Sequence, residues 1–212
     1  MRNEILAAVA ARVPGGDRVR VAVDGASGAG KTVFADELAA VLRRSGRPVL
    51  RASVDDFHRP RAERYRRGPH SPTGYWRDAY DHPRLVAELL EPFGAGRPVR
   101  PAVHDVRTDA YRDDPAVPVP AATVLVMDGV FLLRDGLVSY WSFSVQLQVD
   151  MVTRLRRMMV RDGAPDDPDD PGNRRYEGAW DLYTAACDPA GRAGMVVDNT
   201  VLGTPRVITA RG

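Results

Sequence analysis

The chain has 212 residues, of which 44% are hydrophobic and 27% are charged, as in an average globular domain. This composition supplies enough apolar material for a buried core and argues against a disordered chain. The net charge of +2 excludes the strong positive field typical of nucleic-acid binding, and no apolar run is long enough to cross a bilayer. A single cysteine, Cys187, excludes an internal disulfide and a cysteine-rich zinc site. We therefore expect one cytoplasmic domain over residues 1–212, without nucleic-acid or membrane partners.

The predicted elements alternate between helices and strands along the chain. Apolar residues at helical spacing predict helices at about 1–11, 30–44, 85–93, 151–161 and 174–187. Alternating or continuous apolar runs predict strands at 19–23, 49–54, 123–127, 145–149 and 195–197. Strands separated by helices are typical of an α/β fold, in which helices cover both faces of a mostly parallel sheet.

Three segments interrupt this alternation. Residues 56–81 and the proline-rich residues 98–121 are expected to be inserts that bind an acceptor molecule. Residues 162–173 contain five Asp and three Pro, which favours a mobile loop. We expect this loop to form a lid at about 161–175.

One eight-residue motif follows the first predicted strand. Gly25-Ala26-Ser27-Gly28-Ala29-Gly30-Lys31-Thr32 matches the phosphate-binding loop G-x-x-x-x-G-K-[ST], and a predicted helix follows it. In such a loop the backbone N–H groups surround phosphate oxygens, the lysine reaches the terminal phosphates, and the threonine hydroxyl can ligate Mg²⁺. Lys31 is also the only lysine among 30 basic residues. A dinucleotide-binding loop fits less well, because Ser27 would stand in place of its second glycine.

Acidic residues follow two further predicted strands. Asp55 and Asp56 follow the second strand, and Asp128 follows the third. Since ligands of open α/β sheets bind at the carboxyl ends of the strands, these carboxylates are expected beside the phosphate loop. Asp55 or Asp56 can accept a proton from an acceptor hydroxyl, assist the metal, or do both. In many ATPases that hydrolyse ATP, a glutamate that activates water follows the metal-binding aspartate. Here Gly129 follows Asp128, so the pattern favours phosphate transfer to an acceptor over hydrolysis.

Several segments together resemble the uridine kinase and phosphoribulokinase family of P-loop kinases. They are Val21–Leu42, Val54-Asp55-Asp56-Phe57-His58, Tyr80-Asp81-His82-Pro83, Met127-Asp128-Gly129, the stretch from Asp150 to Asp162, Asp188-Pro189 and Val197-Asp198-Asn199. The resemblance implies a P-loop NTPase fold with a five-stranded parallel sheet in the order 2-3-1-4-5 and a helical lid. It also implies that ATP, with Mg²⁺, phosphorylates a hydroxyl of a nucleoside-like or sugar-like small molecule.

The same resemblance implies roles for individual residues. Asp55 corresponds to the general base near Mg²⁺, Asp128 takes the place of a metal-orienting glutamate, and Asp81 would hold acceptor hydroxyls. The lid arginines that neutralise the transferring phosphoryl group would be Arg161 and either Arg174 or Arg175. Further acceptor contacts are expected from Phe57, His58, Tyr75 and His104.

Departures from the family pattern leave the acceptor open. His58 stands where the family usually has Tyr, Asp128 is one methylene shorter than the usual Glu, and His104-Asp105 is not followed by the base-recognising His. Pantothenate, ribulose phosphate or another metabolite therefore stays an alternative, as does a protein that binds ATP as a switch without transfer. The basic run at 59–67 would be either a solvated loop or the place where an anionic acceptor is bound. The choice between ATP and GTP and a homo-oligomeric state also stay open.

Overall fold

Five parallel strands form the centre of the fold. The computed structural model describes residues 2–165 and 167–211. Its main sheet consists of β1 (Val19–Gly25), β2 (Val49–Ser53), β3 (Val124–Gly129), β4 (Phe143–Gln148), β5 (Met195–Asp198) and β6 (Arg206–Ala210). The spatial order is β2-β3-β1-β4-β5-β6, which confirms the predicted order of the five parallel strands. The sixth strand, β6, is antiparallel to β5 and was not predicted, because it is an exposed edge strand without a buried apolar face.

Helices cover both faces of this sheet. In chain order they are α1 (Arg2–Arg12), α2 (Lys31–Arg44), α3 (Arg61–Arg64), α4 (Pro72–Asp78), α5, α6 (Met151–Asp162), α7 (Pro171–Cys187) and α8 (Pro189–Arg192). The helix α5 runs without a break through His82–Leu85, a π-helical turn at Val86–Leu90, and Glu91–Gly94. Short 3₁₀ turns occur at Val54–Phe57 and Val138–Tyr140, and a small hairpin pairs His104–Asp105 with Ala110–Tyr111. Among the described residues, none of these helices is long and apolar enough to cross a membrane.

The central strands are buried on both faces, which explains why residues 124–127 of β3 are all apolar. Val124 and Val126 pack in one core with Phe34 of α2, whereas Leu125 and Met127 pack in the core on the opposite face. Successive side chains of a strand point to opposite faces, so a strand between two helical layers needs apolar residues at every position.

The segments outside the alternation pack against other parts of the fold. In 56–81, α4 packs against α7, where Gly178 leaves room for Pro72. In 98–121, Val103 N–H donates to Asp56 O at 3.0 Å. Within the segment predicted as a loop, helix α7 begins at Pro171 rather than at 174, because Asp170 caps its first turn by accepting from Gly172 N–H at 2.8 Å.

Candidate active site

The phosphate-loop motif joins β1 to α2 at the carboxyl edge of the sheet. Gly28 and Gly30 have φ values of 76° and 83°, in the left-handed region that favours glycine. A Cβ atom on Gly28 would lie 2.6 Å from the backbone oxygen of Arg154, so a side chain there would displace α6. Helix α2 begins at Lys31, and the first N–H groups of such a helix have no intrahelical partner and can bind an anion.

Two arginines of α6 hold the outer side of this loop. Arg154 donates to Ser27 O at 3.5 Å, and its two Nη groups bind the carboxylate of Glu177 at 2.7 and 2.6 Å. Arg157 donates to Gly28 O at 3.4 Å. The carbonyl oxygens of the loop thus accept hydrogen bonds from outside the loop. These bonds stabilise a loop conformation in which the N–H groups are available to phosphate.

Asn199 holds the loop from the end of β5. Its buried Nδ2 donates to Ala29 O at 2.8 Å, and its Oδ1 accepts from Arg2 Nη1 at 3.1 Å. In the sequence, this asparagine is notable only as part of the family resemblance. A fully buried Asn needs partners for its amide, and here it links α1 to the phosphate loop.

Lys31 is half-buried within the loop, and its Nζ donates to Ala26 O at 2.8 Å. Burial lowers the pKa of this amine, and three nearby carboxylates oppose that change. They belong to Asp55, Asp24 and Asp128. The flexible side chain of Lys31 can exchange this backbone oxygen for a phosphate oxygen. A planar arginine guanidinium would be less suited to that exchange.

Oxygen ligands suitable for Mg²⁺ meet beside the loop. Thr32 Oγ1 donates to Asp128 Oδ2 at 2.7 Å, and Asp128 is only 2% exposed. Asp55 lies in the same cavity. No cluster of three His, Cys, Asp or Glu side chains able to hold a metal occurs within 2–165 and 167–211. The donor set nevertheless fits Mg²⁺, which proteins usually hold through one or two carboxylates together with substrate phosphates and water.

Arg51 fixes the buried carboxylate of Asp128, and sequence analysis did not identify it. Arg51 Nη2 lies 2.8 Å from Asp128 Oδ1, and its Nη1 donates to Val126 O at 2.6 Å. The pair joins β2 to β3, which are adjacent in the sheet. Arg51 thereby offsets the charge of Asp128 and leaves Oδ2 directed to Thr32.

Asp55 lies on the cavity wall with two tyrosines behind it. Tyr80 OH donates to Asp55 Oδ1 at 3.1 Å, and Tyr75 OH lies 3.1 Å from Tyr80 OH. Burial raises the pKa of both tyrosines, so their hydroxyls stay protonated at neutral pH. Asp56 does not line the cavity, and burial raises the pKa of its carboxyl. Of these two neighbouring carboxylates, only Asp55 lines the cavity.

A cavity of about 890 Å³ brings most of the predicted residues together. Those that line it are Ser27, Gly28, Gly30, Lys31, Thr32, Asp55, His58, Tyr75, Asp128, Arg161 and Arg175. Gly25 ends β1, while Ala26 and Ala29 are buried behind the loop. The volume is that of a small-molecule site.

Three predicted acceptor residues do not line the cavity. Phe57 is fully buried in the core, and Asp81 caps α5 by accepting from Arg84 N–H at 3.1 Å. His104 is 1% exposed, and its Nε2 lies 3.6 Å from Asp109 Oδ1. Their contact with an acceptor therefore stays a prediction.

The predicted lid arginines differ in their surroundings. Arg161, at the end of α6, is 68% exposed and binds its neighbour Asp162 at 2.8 and 2.5 Å. Arg175 is buried at the start of α7, whereas Arg174 is exposed and does not line the cavity. Of the two alternatives, only Arg175 lines the cavity.

Asp24 is a buried carboxylate that sequence analysis did not identify as functional. Its Oδ1 accepts from Leu132 N–H and its Oδ2 from Tyr183 OH, both at 3.0 Å. Burial raises the pKa of this carboxyl to about 6. The group ties the end of β1 to the chain after β3 and to α7.

Asp24→Asn is expected to change how stability depends on pH. A carboxyl whose pKa is higher in the folded chain stabilises the fold while it is protonated, and that contribution is lost as the pH rises from about 4 to about 6. The loss is at most about 3 kcal/mol for the shift of Asp24. Urea unfolding at pH 4, 5, 6 and 7 should therefore show a smaller decline for Asp24→Asn than for the wild type. The exposed Asp17→Asn is the control, and equal slopes for all three proteins would contradict this prediction.

The chain matches no protein-family model and no curated protein. It is similar to the solved structure of a possible uridine kinase from Bacillus stearothermophilus, with 25% identity and a TM-score of 0.74 over 92% of this chain and 96% of that one. A candidate fructose transport system kinase from Silicibacter sp. has 23% identity and a TM-score of 0.67 over 88% and 95%. D-glycerate 3-kinase from Cryptococcus neoformans has 13% identity and a TM-score of 0.56 over 98% and 96%, and these last two show the fold alone. The chain thus has the α/β fold of P-loop kinases, and its resemblance to the uridine kinase and phosphoribulokinase family is confirmed.

Proposed function

We propose that the protein is an ATP-dependent kinase that phosphorylates a hydroxyl group of a small molecule. The observation that carries this proposal is a single cavity that contains both the phosphate loop with Lys31 and the carboxylate of Asp55. A protein that only binds a nucleotide has no need of a proton acceptor beside the terminal phosphate.

On the donor side, the chain would bind and orient the triphosphate. The backbone N–H groups of residues 25–32 and the ammonium of Lys31 would bind its oxygens. Thr32 and Asp128 would hold Mg²⁺, which neutralises phosphate charge when it is bound. Arg161 would stabilise the charge on the oxygens of the transferring group.

On the acceptor side, Asp55 would take the proton of the acceptor hydroxyl. The acceptor oxygen forms a bond to the γ-phosphorus, the bond from that phosphorus to the bridging oxygen of ADP breaks, and the hydroxyl proton goes to Asp55. A Cβ atom on Gly129 would lie 2.5 Å from a methyl carbon of Val54, so no water-activating side chain fits directly after Asp128. This crowding favours transfer over hydrolysis.

Tyr80→Phe is expected to lower kcat by about 3- to 10-fold and to leave the KM for ATP unchanged. The variant removes the hydroxyl that donates to Asp55 Oδ1. Because Tyr80 orients Asp55 and does not replace it, only part of the about 1.5–3 kcal/mol that a hydrogen bond to a charged group contributes is expected to appear in kcat. Steady-state rates with a saturating acceptor measure the change. Tyr140→Phe loses a hydroxyl that bonds Glu91 outside the cavity and serves as the control. A wild-type kcat for Tyr80→Phe would remove the tyrosine from the positioning of Asp55.

The proposal is tested by an acceptor screen with γ-labelled ATP. The panel contains nucleosides, pantothenate, sugars, sugar phosphates and glycerate, and GTP is compared as donor. Label in one acceptor supports the kinase and identifies its substrate class. Tight ATP binding without label in any acceptor would instead support the ATP-binding switch.

A further inference from the structure

Arg64 is a buried arginine with unused hydrogen-bond donors on the cavity wall. It ends α3 and is 3% exposed. Its Nη2 lies 3.3 Å from Asp109 Oδ1, whereas Nε and Nη1 are buried and have no partner among the residues that the structure describes. Burying the donors of a charged group is unfavourable unless an acceptor binds them.

Arg175 brings a second buried guanidinium to the same wall. Its central carbon lies 4.9 Å from the ring centroid of Tyr65, and that of Arg64 lies 5.4 Å from the same centroid. Arg175 also lies against the rings of Tyr75 and Tyr176, at 4.8 and 5.5 Å. Its Nε is buried without a partner, and no carboxylate in the described part of the chain forms an ion pair with it.

Among the described residues, Asp109 is the one carboxylate paired with either arginine, so their combined positive charge is only partly balanced. A neutral acceptor offers few strong acceptor atoms to buried N–H groups, whereas a phosphate or carboxylate accepts from several of them at once. We propose that the hydroxyl acceptor carries an anionic group, a phosphate monoester or a carboxylate, that binds between Arg64 and Arg175. This inference rests on the proposed kinase function and names the class of its substrate.

Asp109 would be the internal counter-ion of this anion site. It accepts from Arg61 N–H at 2.9 and 3.0 Å and pairs with Arg64. Its φ of 56° lies in the left-handed region, which asparagine tolerates well. Asp109→Asn therefore keeps an oxygen for Arg61 and removes the negative charge beside Arg64.

The first test uses acceptors matched in structure but not in charge. The sets are glycerol, glycerate and glycerol 3-phosphate; panthenol and pantothenate; ribose and ribose 5-phosphate; and uridine and UMP. Rates with γ-labelled ATP should give a kcat/KM at least about 10-fold higher for the charged member of the preferred set, as expected of a charge-assisted contact. The carboxylate and phosphate members distinguish the two kinds of anion. An equal or higher kcat/KM for the neutral members would overturn this inference without contradicting the proposed kinase function.

Variants of Asp109 and of Arg64 should have different effects on the KM for the charged acceptor. Arg64→Gln is expected to raise the KM for the charged acceptor about 30-fold, with a much smaller change in kcat, while Asp109→Asn leaves this KM unchanged or lowers it. Arg66, exposed and outside the cavity, provides the matched control Arg66→Gln. If Arg64 only supports the fold, Arg64→Gln and Asp109→Asn would both reduce activity and lower Tm, which would overturn the inference.

A binding measurement keeps the test independent of turnover. With the phosphate loop saturated by Mg²⁺ and a non-hydrolysable ATP analogue, calorimetry should detect inorganic phosphate or acetate at a second site. Arg64→Gln should abolish this binding, and Arg66→Gln should retain it. If Arg64→Gln does not fold, Arg64→Lys and Asp109→Asn should both still bind the anion. Anion binding without any labelled acceptor would support the site and count against the kinase, and absence of anion binding would overturn the inference.

Discussion

Lys31→Met is expected to lower kcat/KM for ATP by about 10²- to 10³-fold and to weaken ATP binding. The variant keeps the length of the side chain and removes the positive charge that would stabilise the terminal phosphates as the transfer proceeds. Label transfer measures the rate, and calorimetry with ATP measures the affinity. Undiminished ATP binding together with unaltered product formation would refute the assignment of the phosphate loop.

Two comparisons make the Lys31 experiment specific. Lys31→Arg keeps the charge but replaces a slender ammonium by a wide planar fork, and we expect it to lose nearly as much activity as Lys31→Met. Arg44→Met removes an exposed positive charge from the far end of α2 and should behave as the wild type. A fully active Lys31→Arg would show that charge alone, without the shape of lysine, is sufficient.

Asp55→Asn is expected to reduce kcat by about 10²-fold or more while ATP affinity stays nearly unchanged. The amide keeps the shape and can still receive the hydrogen bond from Tyr80, but it cannot accept the proton of the hydroxyl. Asp56→Asn is the matched control, because Asp56 neighbours Asp55 and does not line the cavity. A wild-type kcat for Asp55→Asn, or an equal loss in Asp56→Asn, would remove Asp55 from the role of base.

The sequence predicted those parts of the molecule that depend on residues close together in the chain. The phosphate loop is one continuous motif between a strand and a helix, and each central strand shows its apolar run directly. The order of the strands came from the family resemblance, and the sheet has that order. The helix α7 was predicted to start late, because the density of Asp and Pro obscured a cap at Asp170.

The parts that were missed depend on contacts between distant residues. Arg51 and Asp128 are 77 positions apart, and Asp24 and Tyr183 are 159 apart. Local periodicity shows which face of a strand is apolar, but not which polar side chains meet across the sheet. The sequence also predicted acceptor contacts for Phe57, Asp81 and His104, and these residues do not line the cavity of the structure.

Helix α6 contacts the phosphate loop and also carries Arg161, which lines the cavity. Arg154 and Arg157 grip the phosphate loop, and Arg161 reaches the cavity from the same helix. Residues spaced by three and by four positions share one side of a helix, so the three arginine side chains extend from the same side of α6. A displacement of α6 would therefore weaken its contacts with the phosphate loop and move Arg161 away from the cavity at the same time.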